Sequence, residues 1–146
     1  MGDPERVLRE LGADPDVSIE IEDGSEHFRG GLTRLVLRGD GHAQVEHRVA
    51  GELETYEGRL DANRLAEVGT ELAQSGFATL EAPARLLVAG EAEVALAVRR
   101  NGSPLHVARI PDDARNDDER LETVLDVFAR LVWEITGGEL PKRARG

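Results

Sequence analysis

Apolar side chains recur every second residue along much of this chain, and every third or fourth in a few stretches. Val17, Ile19 and Ile21 alternate with Ser18, Glu20 and Glu22, which predicts a strand with one buried and one acidic face. Two further strands flank Gly39-Asp40-Gly41. A three-residue loop there sets Leu37 opposite Ala43, Leu35 opposite Val45 and Thr33 opposite His47, with Arg34 against Glu46 on the other face. A two-residue loop would set Leu37 against Gln44 and Leu35 against Glu46, apolar against polar, so the longer loop is expected, with Gly41 left-handed. A third strand, about Leu53 to Leu60, returns after Ala50-Gly51-Glu52.

The period then changes. Leu65, Val68, Gly69, Leu72 and Ala73 make one buried stripe of a helix, with Asp61 as N-cap and Gly76 as its stop. Phe77 and Leu80 return into the core. Val94, Leu96 and Val98 alternate again, and Asn101-Gly102 predicts a two-residue hairpin turn that sets Val98 opposite Leu105 and Leu96 opposite Val107. Pro104 has no N–H to donate, which places the Leu105 strand at a sheet edge. Leu121, Val124, Leu125, Phe128, Leu131, Val132 and Ile135 form the stripe of a final helix, with Asn116 and Glu119 as a capping box and Gly137-Gly138 as its end. At the start, Asp3-Pro4 opens a short helix with Val7, Leu8 and Leu11 on one side. The stretch Leu86-Leu87-Val88 reads as an edge strand or a single helical turn.

The element order is therefore α-β-βββ-α-ββ-α, an α+β single domain. It consists of an antiparallel sheet of five to six strands with two main helices on one face, over residues 1–138, followed by a short basic, mobile tail at 139–146.

Composition narrows the function classes. A formal charge of −11 opposes phosphate backbones and anionic lipids, and Phe28, Tyr56, Phe77, Phe128 and Trp133 are too dispersed for a base-stacking platform. No nucleic-acid or membrane partner is expected. All but one of the 18 basic residues are arginine, the exception being Lys142, and they are scattered. The absence of cysteine rules out disulfides, a thiolate nucleophile and Cys-ligated zinc. No apolar run is long enough to span a bilayer and residues 1–12 are charged, so a cytoplasmic location is expected.

Candidate chemistry is sparse. His27, His42, His47 and His106 do not form a metal motif; only His47 and His106 can share a sheet face and serve as a ligand pair. Asp112, Asp113, Asp117, Asp118 and Glu119 are acidic, but lack the alternation and central glycine of a calcium loop and are largely explained as helix caps. The glycines of Gly39-Asp40-Gly41 join two strands rather than opening a helix, so they cradle no phosphate. Neither catalytic residues nor a cofactor is expected.

Two surfaces remain as binding candidates. Trp133 lies five residues beyond Phe128, far round the helix from the apolar stripe and beside Glu122, Asp126 and Arg130. Either the tail at Leu140 and Pro141 covers it, or it is an exposed anchor for a protein partner. The other surface is the outer sheet face bearing Leu32, Arg34 and Val36.

Gly30-Gly31 before the first core strand, Gly76-Phe77 with Leu80 after a helix, and a late hairpin followed by a last helix (Glu93 to Ile110, Leu121 to Ile135) resemble small bacterial α+β domains of the emfourin type. The resemblance covers about residues 28–136 and implies a protein inhibitor of thermolysin-type metalloproteases; His42–Tyr56 and the N-terminal helix and strand depart from it. The element order is also similar to that of class I type III secretion chaperones, which are acidic homodimers. The expected function is a non-enzymatic protein-binding domain, a protease inhibitor or chaperone-like partner protein. The alternatives are a small-ligand or metal-binding module using His47 and His106, or a subunit of a structural homo-oligomer such as a homodimer.

Overall fold

The computed structural model describes residues 3–25, 31–81, 93–111 and 118–140. Three helices, α1 (Pro4–Arg9), α2 (Ala62–Gln74) and α3 (Glu119–Ile135), lie on one face of a six-stranded antiparallel sheet. Its strands are β1 (Val17–Gly24), β2 (Leu32–Arg38), β3 (His42–Val49), β4 (Glu52–Arg59), β5 (Glu93–Arg100) and β6 (Ser103–Pro111), in the spatial order β4-β3-β2-β1-β5-β6. The α+β class and the element order agree with the sequence pattern. Leu86-Leu87-Val88 lies outside the described residues.

The central hairpin adopts the register that the hydrophobic pattern requires: Leu37 pairs with Ala43, Leu35 with Val45, Thr33 with His47 and Arg34 with Glu46. Gly41 is left-handed at φ +99, and the Asp40 carboxylate accepts the His42 N–H at 2.9 Å. β1 then joins the two halves of the sheet, pairing Ile19 with both Leu37 and Val98, and Ile21 with both Leu35 and Leu96. All four partner side chains, with Ile19, Ile21 and Val17, are buried against the helices.

The second hairpin departs from the simple alternation. Its turn is as expected, with Asn101 at φ 52 and Gly102 at φ 79, but the register shifts one residue beyond it. Val98 faces His106 rather than Leu105, and Leu96 faces Ala108 rather than Val107. The reason lies downstream. An unbroken ladder would point Arg109 into the core and Ile110 to solvent, whereas the bulge buries Ala108 and Ile110 and sends Arg109 out to Glu93, where its Nε donates at 3.0 Å. Pro104, with no N–H to hold the ladder, makes this the place where a bulge costs least. β6 is an edge strand, as the proline implied.

On α2 the expected stripe is the buried one, Asp61 accepts the Arg64 N–H at 2.7 Å, and Gly76 ends the helix at φ +87. On α3 the N-cap is Asp118, whose side chain accepts from the Arg120 N–H, so the helix starts two residues later than a cap at Asn116 would set it; Asn116 itself lies outside the described residues. Val127 is buried and Leu125 only half-buried, a rotation of the stripe toward α2. The fold also runs past Gly138. Leu140 is fully buried, its N–H donating to Thr136 Oγ1 at 3.0 Å, while that hydroxyl donates to the Val132 carbonyl at 2.7 Å. Leu140 of the expected tail therefore belongs to the core, while Glu139 is exposed; residues 141–146 lie outside the described residues.

Candidate functional site

Trp133 sits on the side of α3 opposite its buried stripe and is 60% exposed. The helix end fixes its position. Gly138 donates its N–H to the Trp133 carbonyl at 2.8 Å and Gly137 donates to Glu134 at 3.4 Å, the paired bonds of a Schellman ending, with both glycines left-handed. The indole lies against Gly138, where an added Cβ would be 3.4 Å from its Nε1. Leu140 turns into the core instead of covering the ring, so among the described residues no tail segment shields it.

The stripe N-terminal to Trp133 on the same side of α3 carries Glu122 and Asp126, both exposed and neither in an ion pair among the described residues. The neighbouring basic groups are engaged elsewhere: Arg130 with Glu71 at 2.6 Å and Arg64 with Glu134 at 3.4 Å. Both bridges tie α3 to α2. Between these helices runs an open groove of about 470 Å³ lined by Glu71, Glu119, Arg120, Thr123, Asp126 and Val127 among others. Trp133 thus stands on an acidic helical surface, an apolar ring among carboxylates.

The second candidate surface lies on the other side of the molecule. Leu32, Arg34 and Val36 are half-buried on the outer sheet face, and among the described residues no helix covers them. Arg34 does not reach across to Glu46 as the cross-strand register suggested; it turns to β1 and meets Glu20 at 3.4 Å and Glu22 at 3.2 Å. Glu20 also holds Arg99 at 3.0 Å, linking β2, β1 and β5. A small pocket of about 180 Å³ opens between Glu22, Leu32, Arg34, Glu46 and Arg48. This face is a lattice of paired charges rather than an apolar patch, and docking there would require desolvating those pairs. Trp133 and the Leu32-Arg34-Val36 set do not form one site.

His47 and His106 both face the helices, but they are separated by four strand steps, on the order of 19 Å at about 4.8 Å per strand. They cannot ligate one metal together. His106 Nε2 bonds the Leu80 carbonyl at 2.8 Å, which makes that nitrogen the protonated one. His47 is buried with Nδ1 at 2.9 Å from Thr33 Oγ1. It belongs to a polar row that the strand register assembles across the helix-facing side: Asp23, Thr33, His47 and Glu54 on β1 to β4. Tyr56 closes the row by donating its hydroxyl to Glu54 at 2.7 Å. Of this row the sequence disclosed only the Thr33–His47 pair, through the three-residue loop. The strand order needed for the rest is not a local property.

His42 lies on the outer face 3.9 Å from Glu57. His27, Asp112, Asp113 and Asp117 lie outside the described residues; Asp118 serves as the α3 cap and pairs with Arg120. Among the described residues no group of three or more His, Asp or Glu side chains is arranged to hold a metal ion, and no helix is long and apolar enough to cross a membrane. No protein-family model and no curated protein matches the chain.

Proposed function

We propose that this domain acts by binding another protein, in the cytoplasm and without catalysis of its own, and that Trp133 is the residue that enters the partner. One observation carries the reading: a tryptophan 60% exposed on the outer side of a helix, fixed in place by the hydrogen bonds of the helix ending. Leaving so large an apolar ring in water forfeits burial free energy of about 2 kcal/mol, which a partner pocket would recover. The surrounding carboxylates, Glu122 and Asp126, favour a pocket with a basic rim. The resemblance to emfourin-type domains makes a thermolysin-type metalloprotease the first target to test.

The test begins with tryptophan emission. A red-shifted maximum, readily quenched by acrylamide, is expected of an exposed ring, and a blue-shifted, unquenched one would remove the basis of the proposal. Inhibition of a thermolysin-type protease, or stoichiometric capture of one protein from lysate, should then be lost in Trp133→Ala and kept in Trp133→Phe. Unchanged inhibition or capture by Trp133→Ala would overturn the assignment.

A further inference from the structure

The two edges of the sheet are built differently. β6 begins with Pro104 in its second position, ends at Pro111 and is broken by the bulge at Leu105, three features that keep another strand from adding to it. β4 has none of these. It is a continuous eight-residue edge strand without proline, and six of its residues are exposed.

The direction of its backbone groups follows from the turn that precedes it. Ala50 and Gly51, at φ 51 and φ 82, form a two-residue loop, so the pair that closes it, Val49 and Glu52, exchanges both hydrogen bonds. Every second residue from Glu52 then points its N–H and C=O at β3. The Leu60 N–H donates to the Gly41 carbonyl at 2.8 Å, which places the even-numbered residues of this strand in that phase. Leu53, Thr55, Glu57 and Arg59 consequently present their N–H and C=O groups outward, along an edge that no strand occupies among the described residues.

We infer that β4 is a strand-addition site for an extended, basic segment of a partner protein. The side chains choose the occupant. Glu52, Glu54 and Glu57 stand along the strand, with the exposed Leu53 on the outer face as an apolar contact. A second copy of β4 paired antiparallel about Thr55 would set Glu54 against Tyr56 and Leu53 against Glu57, adding a second net-acidic strand with no complementary charge, whereas alternating arginine or lysine with β-branched residues complements both the charges and the pleat. This site lies on the sheet edge and does not use Trp133.

The probe is a capped peptide of alternating arginine and valine, as long as the strand, titrated into the isotope-labelled full chain and followed by NMR. Shift changes centred on β4 and slowed hydrogen exchange at the Leu53, Thr55 and Glu57 amides are expected. Thr55→Pro removes only an outward donor, so it should keep the fold and weaken binding by about tenfold, roughly one to two backbone hydrogen bonds. Glu52→Lys combined with Glu57→Lys should transfer the response to a glutamate–valine peptide, and Trp133→Ala should leave it unchanged. No response to the basic peptide, an equal response to the acidic one from the unaltered chain, or shifts confined to the helices would overturn the inference.

Discussion

Gly69 of α2 lies against the carbonyl oxygen of Leu8 in α1, so close that a Cβ at position 69 would come within 2.0 Å of it. The two helices touch backbone to backbone here, which is how a helix of six residues is held against α2. Gly69→Ala would gain up to about 1 kcal/mol of helix propensity. The clash is with backbone, and no side-chain rotation relieves it, so α1 must move. We expect a net loss of about 1–3 kcal/mol, read as a fall in melting midpoint of about 2–4 °C per kcal/mol. A rise in midpoint would show that α1 is not docked there.

Thr136 is buried and its hydroxyl serves Val132 and Leu140 at once. Thr136→Val keeps the shape but leaves the Leu140 N–H buried without an acceptor, at a cost of about 1–3 kcal/mol. Thr136→Ser should retain most of the stability. Chemical denaturation of the two variants separates the hydrogen bond from the packing.

Ala50 is one of two non-glycine residues with positive φ among the described residues, and it occupies the first position of a two-residue hairpin turn that favours asparagine or glycine. An alanine there carries left-handed strain of about 1–2 kcal/mol. Ala50→Asn should relieve part of it and raise stability by about 0.5–1 kcal/mol in an equilibrium unfolding experiment.

The Asp118 carboxylate is held below the usual carboxylate range, chiefly by its hydrogen bonds from the Arg120 guanidinium and further by the Arg120 backbone N–H. A group whose folded pKa is depressed contributes stability that is present above its unfolded value and is lost as the pH falls through the folded one. Stability versus pH should therefore lose this contribution on acidification from about pH 4 downward. Asp118→Asn keeps a capping oxygen but loses the charge that Arg120 pairs with, so it should flatten that part of the curve by lowering neutral stability toward the acid level. Asp118→Ala should lose the cap at every pH, about 1 kcal/mol. An acid limb unchanged in Asp118→Asn would contradict the assignment.

The parts of the fold legible in the sequence are those governed by neighbours along the chain. The pairing of Leu35 with Val45 and Leu37 with Ala43 follows from two alternating runs joined by a loop of known length. The α2 stripe follows from helical period, and Gly41, Gly76 and Gly102 follow from backbone angles that other residues adopt only under strain. The bulge in β6 was half legible. Alternation before Pro104 and alternation at Ala108, Arg109 and Ile110 differ by one residue, but which phase would prevail depended on the core that Ile110 enters.

The candidate site divides the same way. From the sequence, Trp133 was off the stripe of its helix, and that holds by geometry alone. Whether Leu140 would cover the ring or fill the core was decided by the cavity beneath the end of α3, where a buried leucine gains more than one laid over a solvent-facing indole. Arg34 likewise could pair with either neighbouring strand, and the placement of β1 beside β2 gave it two carboxylates instead of one. Local periodicity and turn angles determined the elements and their pairing within hairpins. Strand order, the separation of His47 from His106 and the place of β4 at the sheet edge arose only when distant segments competed for the same buried surface, a choice that no short stretch of sequence contains.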